Sequence, residues 1–278
     1  MTFAANQAQI RFPGRDGGAS QRCTVTPAVA ASLHELLRVM GAPADAPATD
    51  SGLSIPVWRV RPGAVLLHEG ARPGHVYVVR SGSFKCLKTS EDGYEQVLTF
   101  AGPGEVLGFE ARYDDQYPNS VVCLEDATVF ALPLAELDGW RRAQPALDHR
   151  LQVALSRQLA SSGQIAEMMS AVAAEVRLAR FLVWLSGRMV ARGQSACRLY
   201  LRMNRRDIAS FLGVAHETVS RAFGALSDWG LLDVKNRDVE ILDPAGLRAC
   251  TRSTRGLADE TPRRRSSAAA NTGLAMAA

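Results

Sequence analysis

The chain has 278 residues, 47% of them hydrophobic, which is ample for one or two packed domains with tails. Its net charge of +4 says little by itself, and its five cysteines (Cys23, Cys86, Cys123, Cys197, Cys250) are scattered with no C-x-x-C pair. Neither a zinc site nor an iron–sulfur ligand set can be read from them, and unpaired thiols fit a reducing cytoplasm. No apolar run reaches the ~18–20 residues of a membrane span, and the opening "MTFAANQAQIRFPGRDGG" has no apolar signal region, so no membrane partner or secretory leader is expected.

Residues 1–52 read as an N-terminal extension, partly disordered. Within it, Leu33, Leu36 and Leu37 give helical spacing and predict a helix over Pro27 to Met40, followed by the breaker-rich loop "GAPADAPATDSG". The texture changes at Leu53. Short apolar runs separated by glycines continue to Pro133, with "HVYVVRSG" and "SFKCLKT" as consecutive strands around Ser81-Gly82 and a hairpin signal at Asp92-Gly93. Residues 53–144 are therefore expected to form an antiparallel β-barrel or sandwich.

From Pro145 the pattern is helical. Leu147, Leu151, Ala154, Gln158, Ser162, Ile165 and Met169 follow a near-heptad spacing over 145–171. Such a stripe packs either on its own domain or on a second copy across a two-fold axis; the spacing favours the second, although Gln158 and Ser162 soften the seam.

The segment 172–246 reads as helix, then helix–turn–helix, then hairpin. Asn204 is an N-cap with Asp207 at the third helical position, as in a capping box, and Gly213 suits a left-handed helix end. A second helix runs from His216 to Trp229. "LLDVKNRDVEIL" is a small β-hairpin turning near Lys235–Asp238, and residues 247–278 read as a disordered tail. From Glu175 to Arg255 there are 14 Lys/Arg against 8 Asp/Glu, an excess of +6, while the remainder has 18 against 20, or −2. The basic excess favours a polyanion partner at this end.

On the second helix Val219, Phe223 and Leu226 face inward, and Glu217, Ser220 and Arg221 fall on the opposite side. The N-terminal part of such a helix meets base edges in the major groove of double-stranded DNA. Arg221 can bind guanine O6 and N7, Glu217 can accept from cytosine or hold the guanidinium plane, and Ser220 can meet thymine. His216, Thr218, Arg205, Lys235 and Arg237 join them as candidate DNA contacts. The plain alternative is a solvated face with an i,i+4 ion pair worth about 0.3–0.5 kcal/mol; the helix-turn-helix, the hairpin and the local charge together outweigh it.

The ordered series "PGAVLLHEG", "YVVRSGSFKC", "DGYEQVLTF", "GPGEVLGFEA", "RRDIASFLGV" and "HETVSR" resembles the Crp/Fnr family of bacterial transcription regulators over about residues 53–246. The resemblance implies an α+β chain: an N-terminal antiparallel β-roll of the cyclic-nucleotide-binding type, a long dimerisation helix and a C-terminal winged helix-turn-helix. It also implies a cytoplasmic homodimer that works with RNA polymerase. Glu217, Ser220 and Arg221 match the E-x-x-S-R pattern of the Fnr branch, which implies TTGAT-like half-sites in an inverted repeat. One departure is Ala215, where a Ser or Thr usually caps the helix.

The resemblance also frames the effector. Phe109 stands where cyclic-nucleotide binders carry a ribose-binding glutamate, and Asn119-Ser120 stands where they carry Arg-Ser for the phosphate. Phe109, Glu110, Asn119 and Ser120 thus mark the effector pocket, and the missing cation argues against cyclic AMP. The oxygen-sensing Fnr proteins hold a [4Fe–4S] cluster on four cysteines. Here the N-terminal region offers only Cys23, and Phe130 falls at the sensor-domain ligand position, which argues against a cluster. Cluster-less relatives respond to low oxygen, nitrogen oxides or redox signals, some through haem, for which His68 and His75 are the candidate axial ligands. The competing class is a small-molecule or nucleotide sensor acting through protein contacts. No H-E-x-x-H, G-x-S-x-G, P-loop or dinucleotide fingerprint is present, so an enzyme is not expected.

Overall fold

The computed structural model describes residues 25–43 and 52–252. Residues 1–24 with Cys23, residues 44–51 and the residues from 253 lie outside them. In chain order the elements are β1 (Val25–Ser32), α1 (Leu33–Val39), β2 (Ser54–Val60), β3 (Val65–Leu67), β4 (His75–Ser81), β5 (Phe84–Thr89) and β6 (Glu95–Ala101). Then come β7 (Val106–Leu107), α2 (Ala111–Asp114), β8 (Ser120–Cys123), β9 (Ala127–Pro133), α3 (Leu134–Ala143), α4 (Pro145–Met169) and α5 (Ala174–Val190). The C-terminal elements are β10 (Arg198–Tyr200), α6 (Arg205–Leu212), α7 (His216–Asp228), β11 (Leu232–Lys235), β12 (Asp238–Ile241) and α8 (Pro244–Cys250).

The roll is two antiparallel sheets, ordered β1-β2-β9-β4-β7 and β3-β8-β5-β6. Between them lie Val60, Leu67, Tyr77, Val79, Phe84, Val121 and Val129, the alternate residues that a period-two pattern sends inward. At the Ser81-Gly82 turn Gly82 has φ +84, and a Cβ there would come within 2.5 Å of the Ala127 Cβ, so only glycine fits. The other face of the first sheet is covered by α1, α3 and α4 around Leu36, Ile55, Phe130, Leu137, Leu147 and Leu151.

Three expectations are corrected. The helix over Pro27 to Met40 is a helix only in α1; residues 25–32 are an edge strand running antiparallel to β2, with Val25 opposite Val60 and Ser32 opposite Ser54. Proline is tolerated on an edge strand, and the Ser32 hydroxyl accepts from the Glu35 amide at 3.2 Å to start the helix. The tail from 247 begins inside α8, where Asp243 caps the Ala245 and Gly246 amides and Leu247 and Cys250 are buried. The third correction concerns the helical seam. Leu147, Leu151 and Ala154 are buried against the roll of their own chain, on the face of the first sheet that carries Ile55 and Phe130. Gln158 donates to Val106 O at 2.8 Å, and Ile165 and Met169 lean on the C-terminal core. The face of α4 left open carries Gln152, Ser156, Leu159, Gly163 and Ala166, again at 4-3-4-3 spacing, with Leu159 77% exposed. No helix among the described residues is long and apolar enough to cross a membrane.

Candidate DNA-binding interface

Helix α6 begins with the expected reciprocal cap: Asn204 Oδ1 accepts from the Asp207 amide at 2.8 Å, and Asp207 Oδ2 accepts from the Asn204 amide at 3.1 Å. Gly213, at φ +63, ends the helix and turns the chain into α7. There Val219, Ala222, Phe223 and Leu226 are buried, which fixes the rotation of the helix and turns Glu217, Ser220 and Arg221 outward. Neither Glu217 nor Arg221 pairs with another described residue, so the i,i+4 ion pair of the plain alternative does not form and both groups stay available. Ser220 Oγ donates back to His216 O at 3.2 Å; His216 is exposed and Thr218 half-buried. Ala215 sits at the N-cap in extended geometry with no side-chain bond, as its missing hydroxyl requires.

The wing is the sheet β10-β12-β11, with Asn236 at φ +59 in its turn. Lys235 and Arg237 are exposed there. Lys235 Nζ lies 2.9 Å from Asp233, which raises its pKa, and Arg237 donates weakly to Arg202 O at 3.4 Å. Arg205 differs from the other candidates. Its guanidinium lies 3.3 Å from the centre of the Phe223 ring and donates to Asn236 O at 3.2 Å, while Nη1 is buried without a partner. Burial lowers its pKa to about 10, so it is still charged at neutral pH. The side chain therefore ties α6, α7 and the wing turn together, and Arg206 beside it is the exposed cation at this helix start. Sequence spacing alone could not tell these two neighbouring arginines apart.

Of the four effector-pocket residues, Glu110 and Asn119 line a cavity of about 260 Å³ between the roll, α4 and α5. Phe109 instead packs on the core beneath α1, α3 and α4, under the Arg112 guanidinium, and Ser120 Oγ accepts from the Glu69 amide at 3.0 Å. The cavity wall also includes Cys86, Glu105, Gln158 and Arg188, none of which the sequence reading placed there. Glu105 holds Arg188 and the Gly102 amide, with Arg192 at 3.6 Å, so the Arg188 guanidinium is already engaged. Gln158 Oε1 is buried with no donor. Neither His68 nor His75 lines this space; His75 lies 5.0 Å from the Trp58 ring, and burial lowers its pKa.

A cluster bound by four thiolates does not fit the described cysteines. Cys86 and Cys123 are buried in the roll, where desolvation pushes their thiols up to about 12 and about 11. Cys197 and Cys250 lie in the other half, and Phe130 is fully buried in the sensor core. Among the described residues no group of three or more His, Cys, Asp or Glu could hold a metal ion.

Comparison with known proteins agrees with this geometry. Residues 57–142 match the cyclic nucleotide-binding domain and residues 176–250 the Crp-like helix-turn-helix domain. The transcriptional activator protein FnrA of Stutzerimonas stutzeri is 35% identical over 190 residues, 68% of this chain and 78% of that protein. The transcriptional activator protein anr of Pseudomonas aeruginosa is 36% identical over 190 residues, with the same 68% and 78% coverage. The fold is similar to that of FixK2 from Bradyrhizobium japonicum, with TM-score 0.63 and 24% identity over 71% of this chain and 97% of that one. With a β-roll of the cyclic-nucleotide-binding type leading into a helix-turn-helix whose outer face is polar and open, the chain belongs to the Crp/Fnr family of DNA-binding transcription regulators.

Proposed function

We propose that two copies of the chain pair through α4 and read an inverted repeat of TTGAT-like half-sites, one α7 helix entering each major groove. The observation that carries this reading is the outer face of α7, where Glu217 and Arg221 stand a turn apart, exposed and unpaired, with Ser220 between them. Two-fold symmetry sets the half-sites about 10 base pairs apart on one face of the duplex. The pairing face is the open row Gln152, Ser156, Leu159, Gly163 and Ala166, extended by the exposed Val172. Glu217, Ser220 and Arg221 read bases; His216, Thr218, Arg206, Lys235 and Arg237 meet phosphates or groove edges. By family resemblance the bound dimer then engages RNA polymerase.

The effector enters the cavity between the roll, α4 and α5. A cyclic phosphate is poorly matched there, since the Arg188 guanidinium is engaged by Glu105 and Glu110 adds negative charge. Gln158 Oε1 calls instead for a hydrogen-bond donor on the ligand. Gel-shift competition of TTGAT-N4-ATCAA against a scrambled duplex at fixed salt tests the DNA reading; equal affinity for both would overturn it. Calorimetry with cyclic AMP is expected to give no binding heat.

A further inference from the structure

We propose that Lys85, a residue of the sensor roll, is a positioning residue for DNA recognition: its ammonium sits on the Asp207 carboxylate that caps α6 and so fixes the direction in which the reading head faces. This rests on the homodimer reading above. Lys85 Nζ lies 2.6 Å from Asp207 Oδ1, with the two side chains 17% and 8% exposed. The carboxylate is shared. Oδ2 closes the cap on the Asn204 amide, while Oδ1 reaches across to the sensor.

The contact belongs to a wider dock. Strand β6 is the edge of its sheet, and the Ser210 hydroxyl of α6 meets that edge as a partner strand would. It accepts from the Val97 amide at 2.8 Å and donates to Glu95 O at 2.8 Å, two backbone groups on the same side of the strand. Gln96 Nε2 donates to Ser210 O. Lys85 lies opposite Phe100 in the sheet, and the Phe100 ring packs 5.2 Å from Phe211 of α6. Serine bonding and ring packing hold the two halves together. Among the described residues, it is the ion pair that attaches the sensor to the group that starts the reading head's first helix.

Removing the ammonium leaves a buried carboxylate with one oxygen unmatched. The other oxygen is anchored in the cap, so the carboxylate regains water by opening the dock. The outer face of α7 lies away from it, with Glu217 and Arg221 free, so a single head should read DNA equally well docked or loose. Two heads are another matter. Once one is bound, the second half-site is reached at an effective concentration set by how stiffly both heads are held, and loosening the mount lowers it.

The test compares the full-length protein with Lys85→Met and Lys85→Arg, on the inverted repeat and on a duplex with one half-site. The expected result is that Lys85→Met weakens repeat binding about tenfold and leaves half-site binding within about twofold, as a loss of effective concentration requires, with Lys85→Arg restoring most of it. Hydrogen exchange gives an independent readout: Lys85→Met should speed exchange of the Val97 amide and leave the α7 amides unchanged. Equal weakening on both duplexes would mean that the pair merely holds the helix-turn-helix together, and no change on either would mean that it orients nothing; both overturn the proposal. If the unsubstituted protein itself shows no preference for the repeat, the homodimer reading fails first and takes this one with it.

Discussion

Helix α7 lies in the C-terminal half, the junction between β6 and α6 joins that half to the roll, and the two were assembled by different rules. In α7 every decisive relation is local: apolar residues three and four apart are buried, and the polar set turned outward follows from the helical period. At the junction the decisive pairs are distant in sequence. Lys85 meets Asp207, Val97 meets Ser210, and Phe100 shares a cluster with Phe181 and Phe211. The sensor and the reading head thus have one continuous apolar core between them, in which Val97 and Phe100 belong to the roll and the rest to α4 and the C-terminal elements. Local pattern builds the polar outer face of α7, and long-range packing decides where it is aimed.

The comparison breaks first at Phe100. It is 4% exposed, and Phe100→Ala should cost about 3–5 kcal/mol of folding stability by removing a ring from the shared core. Urea unfolding measures this; a loss below about 1 kcal/mol would mean the two halves do not share a core. Next is Arg221→Ala, which should weaken specific DNA binding by about 1–3 kcal/mol and relax selectivity at one base pair while leaving the unfolding midpoint in place. A matching drop in stability would show that the outer face of α7 has a packing role.

A smaller effect is expected at the missing cap. Ala215 has the backbone geometry of an N-cap without an oxygen to accept from the helix amides, so Ala215→Ser should stabilise the chain by about 1 kcal/mol in thermal unfolding. The smallest concerns His75, which is remote from the junction. Burial lowers its pKa below 6.5, against a weaker opposing pull from Glu136. The folded state therefore prefers the neutral ring. That stabilisation is complete above the unfolded value of 6.5 and is lost as pH falls through the lower folded value. Unfolding titrations between neutral and mildly acidic pH should show the decline, and His75→Gln should flatten it.

What was legible in the sequence follows the same division. The roll showed in its glycine-spaced strands, and the cap, the Gly213 turn and the face of α7 showed in short-range spacing. The strand at 25–32 did not show, because an edge strand is decided by the neighbour that accepts its hydrogen bonds, here β2. A heptad-like stripe on α4 could not reveal its partner, since burying Leu147 and Leu151 on the roll or on a second copy calls for the same residues. Arg205 and Arg206 are adjacent and alike as letters; only the position of the Phe223 ring separates a buried tie from an exposed cation. Two of the four pocket residues line the cavity, while Gln158 and Arg188 come to its wall from helices far along the chain.

By itself, then, the sequence determined the architecture and the chemistry of the reading helix, because helical and strand periods, caps and turn glycines act over a few residues. The tertiary structure alone decided how the sensor holds that helix, which face of α4 stays open and what closes the cavity. Those depend on groups brought together from opposite ends of the chain, and residue spacing carries no record of such meetings.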